Sequence, residues 1–141
     1  ITDYWKDTGT PEDIINANRA ILENLVPEFK GEKASTVSIE GNVSIGNKTK
    51  IEDQVKIRGP VIIGNKCKIS GDSIIGPNTS IGDECIISGG IIKDSIIMNN
   101  CEIEKNVNIR NSIISSNSSI KQNKTKNEQV FLLGEGTKVS F

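Results

Sequence analysis

Histidine is absent from the 141 residues of this chain, and aromatic residues make up only 4% of them. Without imidazole, the chain lacks the side chain that most often serves as a general base near neutral pH. No apolar run approaches the ~20 residues needed to span a bilayer, so we expect no membrane partner. Lysine plus arginine (17) nearly balances aspartate plus glutamate (18), which argues against nucleic acid as a partner. With so few aromatic residues, any core must be aliphatic.

What the sequence does contain is a repeat of six residues. Isoleucine recurs at every sixth position from Ile39 to Ile87, and IGNKTKI at 45–51 returns as IGNKCKI at 63–69. A period of six fits neither a helix nor a single strand and predicts a stacked solenoid, in which the eighteen-residue echo makes three hexads per coil. The fold class is therefore predicted as an all-β solenoid with parallel strands between coils. The predicted structural core consists of Ile39, Ile45, Ile51, Ile57, Ile63, Ile69, Ile75, Ile81, Ile87, Ile97, Ile103 and Ile109.

The turns between the faces of the predicted coil carry glycine followed by asparagine or aspartate. This pair occurs at Gly46-Asn47, Gly64-Asn65 and Gly82-Asp83. Because these residue types tolerate positive φ, the pattern predicts that the glycine and its neighbour form a tight corner. The lysines at 48, 50, 66 and 68 fall between inward positions and should face water.

The repeat is interrupted once. Ten residues rather than six separate Ile87 from Ile97, and Gly89-Gly90 lies between them. We interpret the excess as a four-residue loop that protrudes from a corner, in a stretch (88–94) without a strong nucleophile or base. The register then resumes from Ile97 and slips by one residue at Ile114.

The three cysteines are predicted to be buried, reduced thiols. Cys67 and Cys85 occupy the small inward position four residues after an isoleucine, one coil apart. A zinc site would need CxxC pairs or histidine partners, and neither occurs. The odd count and the lack of a secretory signal favour a reducing, cytoplasmic location.

The two ends differ from the repeat. Thr10, Pro11 and Asp13 form the signature of a capped helix. Residues 28–36 lack the hexad pattern and are predicted to be a linker. We divide the chain into 1–30 (the end of a preceding domain with a connecting helix), 31–123 (the solenoid) and 124–141 (a carboxy-terminal cap segment). The amphipathic stripe of the helix is predicted to consist of Ile14, Ala17, Ile21, Leu22 and Leu25.

The opening segment WKDTGTPED (5–13), followed by Ala17-Asn18-Arg19, resembles the end of the catalytic domain of sugar-1-phosphate nucleotidylyltransferases. The similarity is greatest to long-form glucose-1-phosphate thymidylyltransferases, whose repeats and tail are matched by RGPVIIG (58–64), GPNTSIG (76–82) and LGEGTKV (133–139). The resemblance implies that the solenoid is a left-handed parallel β-helix of hexapeptide repeats.

The resemblance also implies a chemistry for the parent protein. The expected reaction is dTTP plus glucose-1-phosphate to dTDP-glucose and pyrophosphate, so the parent binds a nucleoside triphosphate and a sugar-1-phosphate. In that family the aspartate that corresponds to Asp7 helps to hold Mg²⁺, together with a second carboxylate far upstream. The glycine-rich nucleotide loop of the family is not recognisable in this chain. We therefore expect the chain alone to be inactive, with no catalytic residue and no cofactor of its own.

Two other functions remain as alternatives. A hexapeptide-repeat acyltransferase would have the same solenoid but normally uses histidine as its general base, which this chain lacks. A free-standing solenoid that binds a partner would have no use for the segment DTGTPED. For the chain itself we expect a homo-oligomer, a trimer or a dimer, because the flat β faces and the apolar stripe of the helix are surfaces that tend to be buried.

Overall fold

The computed structural model describes residues 10–104, 107–121, 132–133 and 138–140. It contains one helix, α1 (Pro11–Leu22), followed by strands that form three parallel sheets. The predicted fold class is confirmed: the chain is a parallel β-solenoid of about five turns with a helix at its amino-terminal end, consistent with a left-handed β-helix.

Each of the first five coils contributes one strand to each sheet, and the described strands after them extend only the first and second sheets. The first sheet consists of β1 (Glu28–Phe29), β4 (Val43–Ile45), β7 (Val61–Ile63), β10 (Thr79–Ile81), β13 (Ile96–Ile97), β16 (Ile113–Ile114) and β18 (Leu132–Leu133). The second sheet consists of β2 (Glu32–Lys33), β5 (Lys50–Ile51), β8 (Lys68–Ile69), β11 (Ile86–Ile87), β14 (Glu102–Ile103), β17 (Ser119–Lys121) and β19 (Lys138–Ser140). The third sheet consists of β3 (Ser38–Glu40), β6 (Lys56–Arg58), β9 (Ile74–Ile75), β12 (Ile91–Lys93) and β15 (Asn108–Arg110).

Isoleucines stack in columns inside the solenoid because the strands pair in register. Ile45 is the partner of Ile63, and Ile63 is the partner of Ile81. Of the twelve core isoleucines named from the sequence, the structure buries eleven, whereas Ile39 is only partly buried. Ile39 lies in the first strand of the third sheet, at the edge of the sheet that the described residues form. Each fully buried isoleucine contributes roughly 1.5–3 kcal/mol.

The predicted loop between Ile87 and Ile97 is wrong. The segment instead forms β12, and Ile92 is fully buried in the isoleucine column between Ile75 and Ile109. The coil closes with fewer residues, because Ile81 pairs with Ile97 only sixteen positions later, whereas Ile63 pairs with Ile81 eighteen positions later. Gly90 takes the place that Ser73 holds one coil earlier, and a side chain there would overlap the carbonyl oxygen of Val107.

The role predicted for the corner glycines also needs correction. Positive φ occurs at the residue two places after the glycine, for example 58° at Lys66, and not at Gly64 itself. Glycine is required for another reason: a Cβ at Gly64 would overlap the side-chain oxygen of Asp83 in the next coil. That oxygen accepts the Asn65 backbone N–H at 2.8 Å. The same bond joins Asn47 to Asn65 and Asp83 to Asn99, so the corner is a ladder of side-chain caps between coils.

Both ends of the solenoid extend further than the sequence pattern suggested. β1 and β2 lie in the segment that we predicted to be a linker, and they pair with β4 and β5. Their residues are exposed and mostly charged, so the inward isoleucine that marks later hexads is missing. At the other end, β18 and β19 add to the first and second sheets, within the part of the predicted cap segment that the structure describes.

Candidate functional site

The helix α1 begins where the sequence predicted. The Thr10 side chain accepts the Asp13 backbone N–H at 3.1 Å, and Asp13 Oδ2 accepts the Thr10 N–H at 3.3 Å, which is a complete capping box. Pro11 occupies the first turn, where its missing N–H costs nothing. This end of the helix is therefore well defined, although such a short helix needs tertiary packing for stability.

The helix packs on the outer face of the first sheet. Ile14 and Ile15 are buried and form a cluster with Ile113, against which Ile96 and Met98 are partly buried. Successive strands place Ser80, Ile96 and Ile113 at equivalent outward positions, so the helix covers a strip that crosses several coils. We call the surfaces that meet here the helix-docking face.

Polar contacts fix the helix-docking face in register. Arg19 Nη2 lies 3.0 Å from Asp94 Oδ1 and forms an ion pair with it. Asn78 Nδ2 donates to the same aspartate oxygen at 3.2 Å, and Ser80 Oγ donates to Asn18 Oδ1 at 2.7 Å. Asp94 belongs to the stretch that we predicted to be a bare loop, so its role as the anchor for Arg19 was missed.

The sequence indicated only part of the polar contacts between the helix and the solenoid. Asn18 and Arg19 were noted only through the family resemblance, and the spacing of Ile15, Arg19 and Leu22 places all three on one helical face. The apolar stripe itself is partly wrong. Ile15 and Leu22 are buried with Ile14, whereas Ile21 is 71% exposed.

A cleft of about 550 Å³ opens beside the start of the helix. It is lined by Thr10, Pro11, Glu12, Ile15, Asn16, Arg19 and Asn111. Within the described residues, Arg19 Nε and Asn18 Nδ2 are buried without a hydrogen-bond partner. The beginning of α1 is therefore held beside the corner at Asn111, in the later coils of the solenoid. The residues that line this cleft fix the position of the helix start, and they include no nucleophile paired with a base.

Asp7, the metal ligand implied by the family resemblance, lies outside the described residues. Across the described ranges, no three histidine, cysteine, aspartate or glutamate side chains come together as a potential metal site. The described part of the chain thus holds no constellation that fits Mg²⁺, and we derive no chemical step through the ion from it.

The three cysteines form a column inside the corner between the first and second sheets. All three are free and buried, as predicted. The Cys67 thiol donates to the Gly82 carbonyl at 3.0 Å, and the Cys85 thiol donates to the Met98 carbonyl at 3.1 Å. Thr49 makes the equivalent bond one coil earlier, to the Gly64 carbonyl at 2.6 Å. The neighbouring thiols of Cys101 and Cys67, together with burial, raise the pKa of Cys85, so this thiol stays protonated and unreactive.

We predict that the helix is held by Ile15 and not by Ile21. Replacing Ile15 with alanine should weaken docking by about 2–4 kcal/mol, because it leaves a cavity against Ile113. Hydrogen exchange of the α1 amides measures this loss as faster exchange. Ile21→Ala is the matched control and should change docking by less than about 0.5 kcal/mol. Equal protection in the two variants would show that the helix docks through a different face.

In the part of the chain that the structure describes, we find no helix with the length and hydrophobicity of a transmembrane span.

Comparison with known proteins gives one family and several relatives. Residues 57–140 match the model of the GMPPB C-terminal domain. A stretch of 49 residues is 43% identical to the bifunctional protein GlmU of Methanococcus aeolicus, covering 35% of this chain and 12% of that protein. A stretch of 51 residues is 37% identical to the glucose-1-phosphate thymidylyltransferase of Streptomyces antibioticus, covering 36% of this chain and 14% of that enzyme. The low-salt glycan biosynthesis nucleotidyltransferase Agl11 of Haloferax volcanii is 36% identical over 42 residues, covering 30% of this chain and 12% of that protein.

Together with the β-solenoid and its docked helix, these matches define a class, the carboxy-terminal domain of sugar-1-phosphate nucleotidyltransferases. Within that class, the chain belongs to the GMPPB C-terminal domain family, whose model covers more than half of its residues. The matched stretch spans about one eighth of the length of the curated relatives, 12% and 14% for two of them.

Proposed function

We propose that this chain is the carboxy-terminal part of a magnesium-dependent enzyme that converts dTTP and glucose-1-phosphate into dTDP-glucose and pyrophosphate. The observation that carries the proposal is the 37% identity over 51 residues to a glucose-1-phosphate thymidylyltransferase, together with the family match over residues 57–140. The DTGT form of the segment at 7–10 supports the choice of dTTP through the family resemblance.

The proposed chemistry explains why the active centre needs more than this chain. An oxygen of the sugar phosphate attacks the α-phosphorus of dTTP, the bond to the β-phosphate oxygen breaks, and pyrophosphate leaves. Mg²⁺ held in the parent enzyme would supply positive charge to offset that of the phosphates and would help to orient them. By resemblance, Asp7 supplies one of the two carboxylates that hold it. The other carboxylate and the glycine-rich nucleotide loop belong to the upstream part of the parent, so we propose that the chain alone is inactive.

For the chain itself we propose a structural role. The capping box at Thr10 begins only three residues after Asp7, and the helix that follows is bonded to the solenoid through Arg19 and Asp94. The solenoid thereby supports the helix that directly follows, in sequence, the segment containing Asp7. This support comes from packing, from the Ser80–Asn18 hydrogen bond and from one ion pair. The ion pair is weaker than the packing, since its side chains are 42% and 24% exposed and water partly screens it.

The test is catalysis by the parent protein, this chain joined to its upstream half. Pyrophosphate release should require Mg²⁺, dTTP and glucose-1-phosphate together, and the chain alone should release none. Turnover with a different nucleotide or sugar phosphate in preference to this pair would overturn the proposed substrates. Release of pyrophosphate by the chain alone would overturn its assignment as a supporting domain.

We also propose that the chain assembles into a homo-oligomer, a trimer or a dimer, and that it acts in the cytoplasm, where nucleoside triphosphates are available. The support for assembly is exposed apolar surface at Val26 and Ile86, which are 77% and 42% exposed. Light scattering should give a multiple of the 15.3 kDa monomer mass. A mass of one monomer at high protein concentration would reject the assembly.

A further inference from the structure

The outer face of the third sheet carries a groove of about 290 Å³. Its floor includes Ile74, Gly76 and Pro77, and Ile74 is 36% exposed. Lys56, Arg58 and Lys93 also line it, together with one acidic residue, Glu40. The helix α1 packs on a different sheet and its described contacts share no residue with the groove, but Asn78 and Asp94 directly follow the groove residues Pro77 and Lys93 at the adjoining corner.

The charge of this face differs from that of the whole chain. The outward positions of the strands in the third sheet hold four basic residues (Lys56, Arg58, Lys93 and Arg110) and one acidic residue, Glu40. The complete chain, in contrast, has a net charge of −1. Within the described residues, Lys56 and Lys93 form no ion pair, and Glu40 lies 3.7 Å from Arg58 in a solvent-exposed contact. Such an exposed pair is weak and leaves Arg58 able to bind another anion.

Arg58 and Lys93 lie on either side of a position on the outer face of the third sheet that has no side chain. The register pairs Ile57 with Ile75 and Ile75 with Ile92, so the row that contains Glu40 and Arg58 continues through Gly76 to Lys93. Arg58 and Lys93 are thus two coils apart, about 9.6 Å at the backbone. Gly76 fills the position between them with no side chain, and a Cβ there would overlap the Arg58 carbonyl oxygen.

We propose that this groove binds a small phosphorylated anion of the size of pyrophosphate or a sugar phosphate. Arg58 and Lys93 would contact phosphate oxygens from the two sides of the gap, and Lys56 would add a third positive charge. The apolar surface of Ile74 and Pro77 suits a small organic group. The volume of about 290 Å³ favours a small ligand over a dinucleotide, because it lies just below the ~300–1,000 Å³ typical of ligand sites. The proposal goes beyond the catalytic function above and does not depend on it.

The test is calorimetric titration of the full chain with pyrophosphate, without divalent metal and at about 0.15 M salt, where long-range attraction is screened. We expect saturable binding with one site per chain. The variant Arg58→Gln/Lys93→Gln should raise the dissociation constant for pyrophosphate about tenfold or more. Glu40→Gln should lower it, because a carboxylate that competes for Arg58 is lost. The matched control is Lys50→Gln/Lys68→Gln. It removes two outward lysines that lie next to each other on neighbouring strands of the second sheet, and it should bind pyrophosphate as the unmodified chain does.

Three outcomes would overturn the proposal. The first is the absence of saturable binding of both pyrophosphate and glucose-1-phosphate at millimolar concentration. The second is an equal loss of affinity in the control, which would show diffuse attraction to surface lysines. The third is binding of a poly-L-glutamate peptide without binding of either phosphate, which would make the face a surface for acidic polypeptides. A binding measurement on the chain is independent of catalysis by the parent, so this proposal and the proposed function fail separately.

Discussion

Replacing Ile63 with aspartate should unfold most of the protein. Ile63 is 1% exposed and is stacked between Ile45 and Ile81, so the aspartate carboxylate would lie in an aliphatic column with no partner. Burying an unpaired charge costs several kcal/mol even after the group takes up a proton. That cost is comparable to the whole stability of a typical domain, about 5–15 kcal/mol. Urea denaturation followed by circular dichroism measures the loss.

The matched control is the same substitution at the neighbouring residue, Ile62→Asp. Ile62 lies on the same strand but points outward, is 37% exposed, and pairs with Ser44 and Ser80. Water can solvate an aspartate there, so we expect a loss of about 1 kcal/mol or less. Similar midpoints for the two variants would contradict the assignment of inward and outward positions in the hexad.

The second large effect concerns catalysis by the parent enzyme. If Asp7 holds the metal, as we propose, Asp7→Asn should lower turnover by orders of magnitude, because an amide keeps the shape of the side chain but removes its charge. The thermal midpoint of the solenoid should stay unchanged, since the substitution lies before the capping box at Thr10. Steady-state pyrophosphate release and a thermal melt on the same preparation provide both readings.

Asp13→Asn provides the control for that experiment. It removes a carboxylate from the same segment but keeps an oxygen that can accept the Thr10 N–H. Activity close to that of the unmodified parent is expected for this variant. Full activity of Asp7→Asn would mean that the Asp7 carboxylate does not hold the metal, and the assignment would be withdrawn.

The parts of the fold that follow from a local rule could be predicted from the sequence. The period of six residues predicted the solenoid, and the pattern at Thr10, Pro11 and Asp13 predicted the start of the helix, because both depend on neighbours in sequence. The amphipathic stripe was only partly right. Whether Ile15 or Ile21 is buried depends on where Ile113 lies, and Ile113 is about a hundred residues away in the chain.

The errors at the corners have a common physical cause. Gly64 was assigned to a positive φ, but its requirement comes from the Asp83 side chain of the next coil, which a local pattern does not show. The anchor for Arg19 was missed for a similar reason, since Asp94 lies seventy-five residues further along the chain. Contacts between coils and between the helix and the sheet therefore decide the details of the helix-docking face.

The short coil shows where this protein can change its length during evolution. At one corner, the two residues Ser88-Gly89 replace the three residues Ser70-Gly71-Asp72 of the preceding coil. At the next corner, Asp94 alone replaces Pro77-Asn78. The strands on either side of both corners nevertheless keep their partners. A deletion inside a strand would turn every following side chain in that strand to the opposite face. A deletion at a corner only tightens the bend. Insertions and deletions that survive in relatives of this domain should therefore collect at the three corners between the sheets, where added loops would leave the isoleucine columns unaltered.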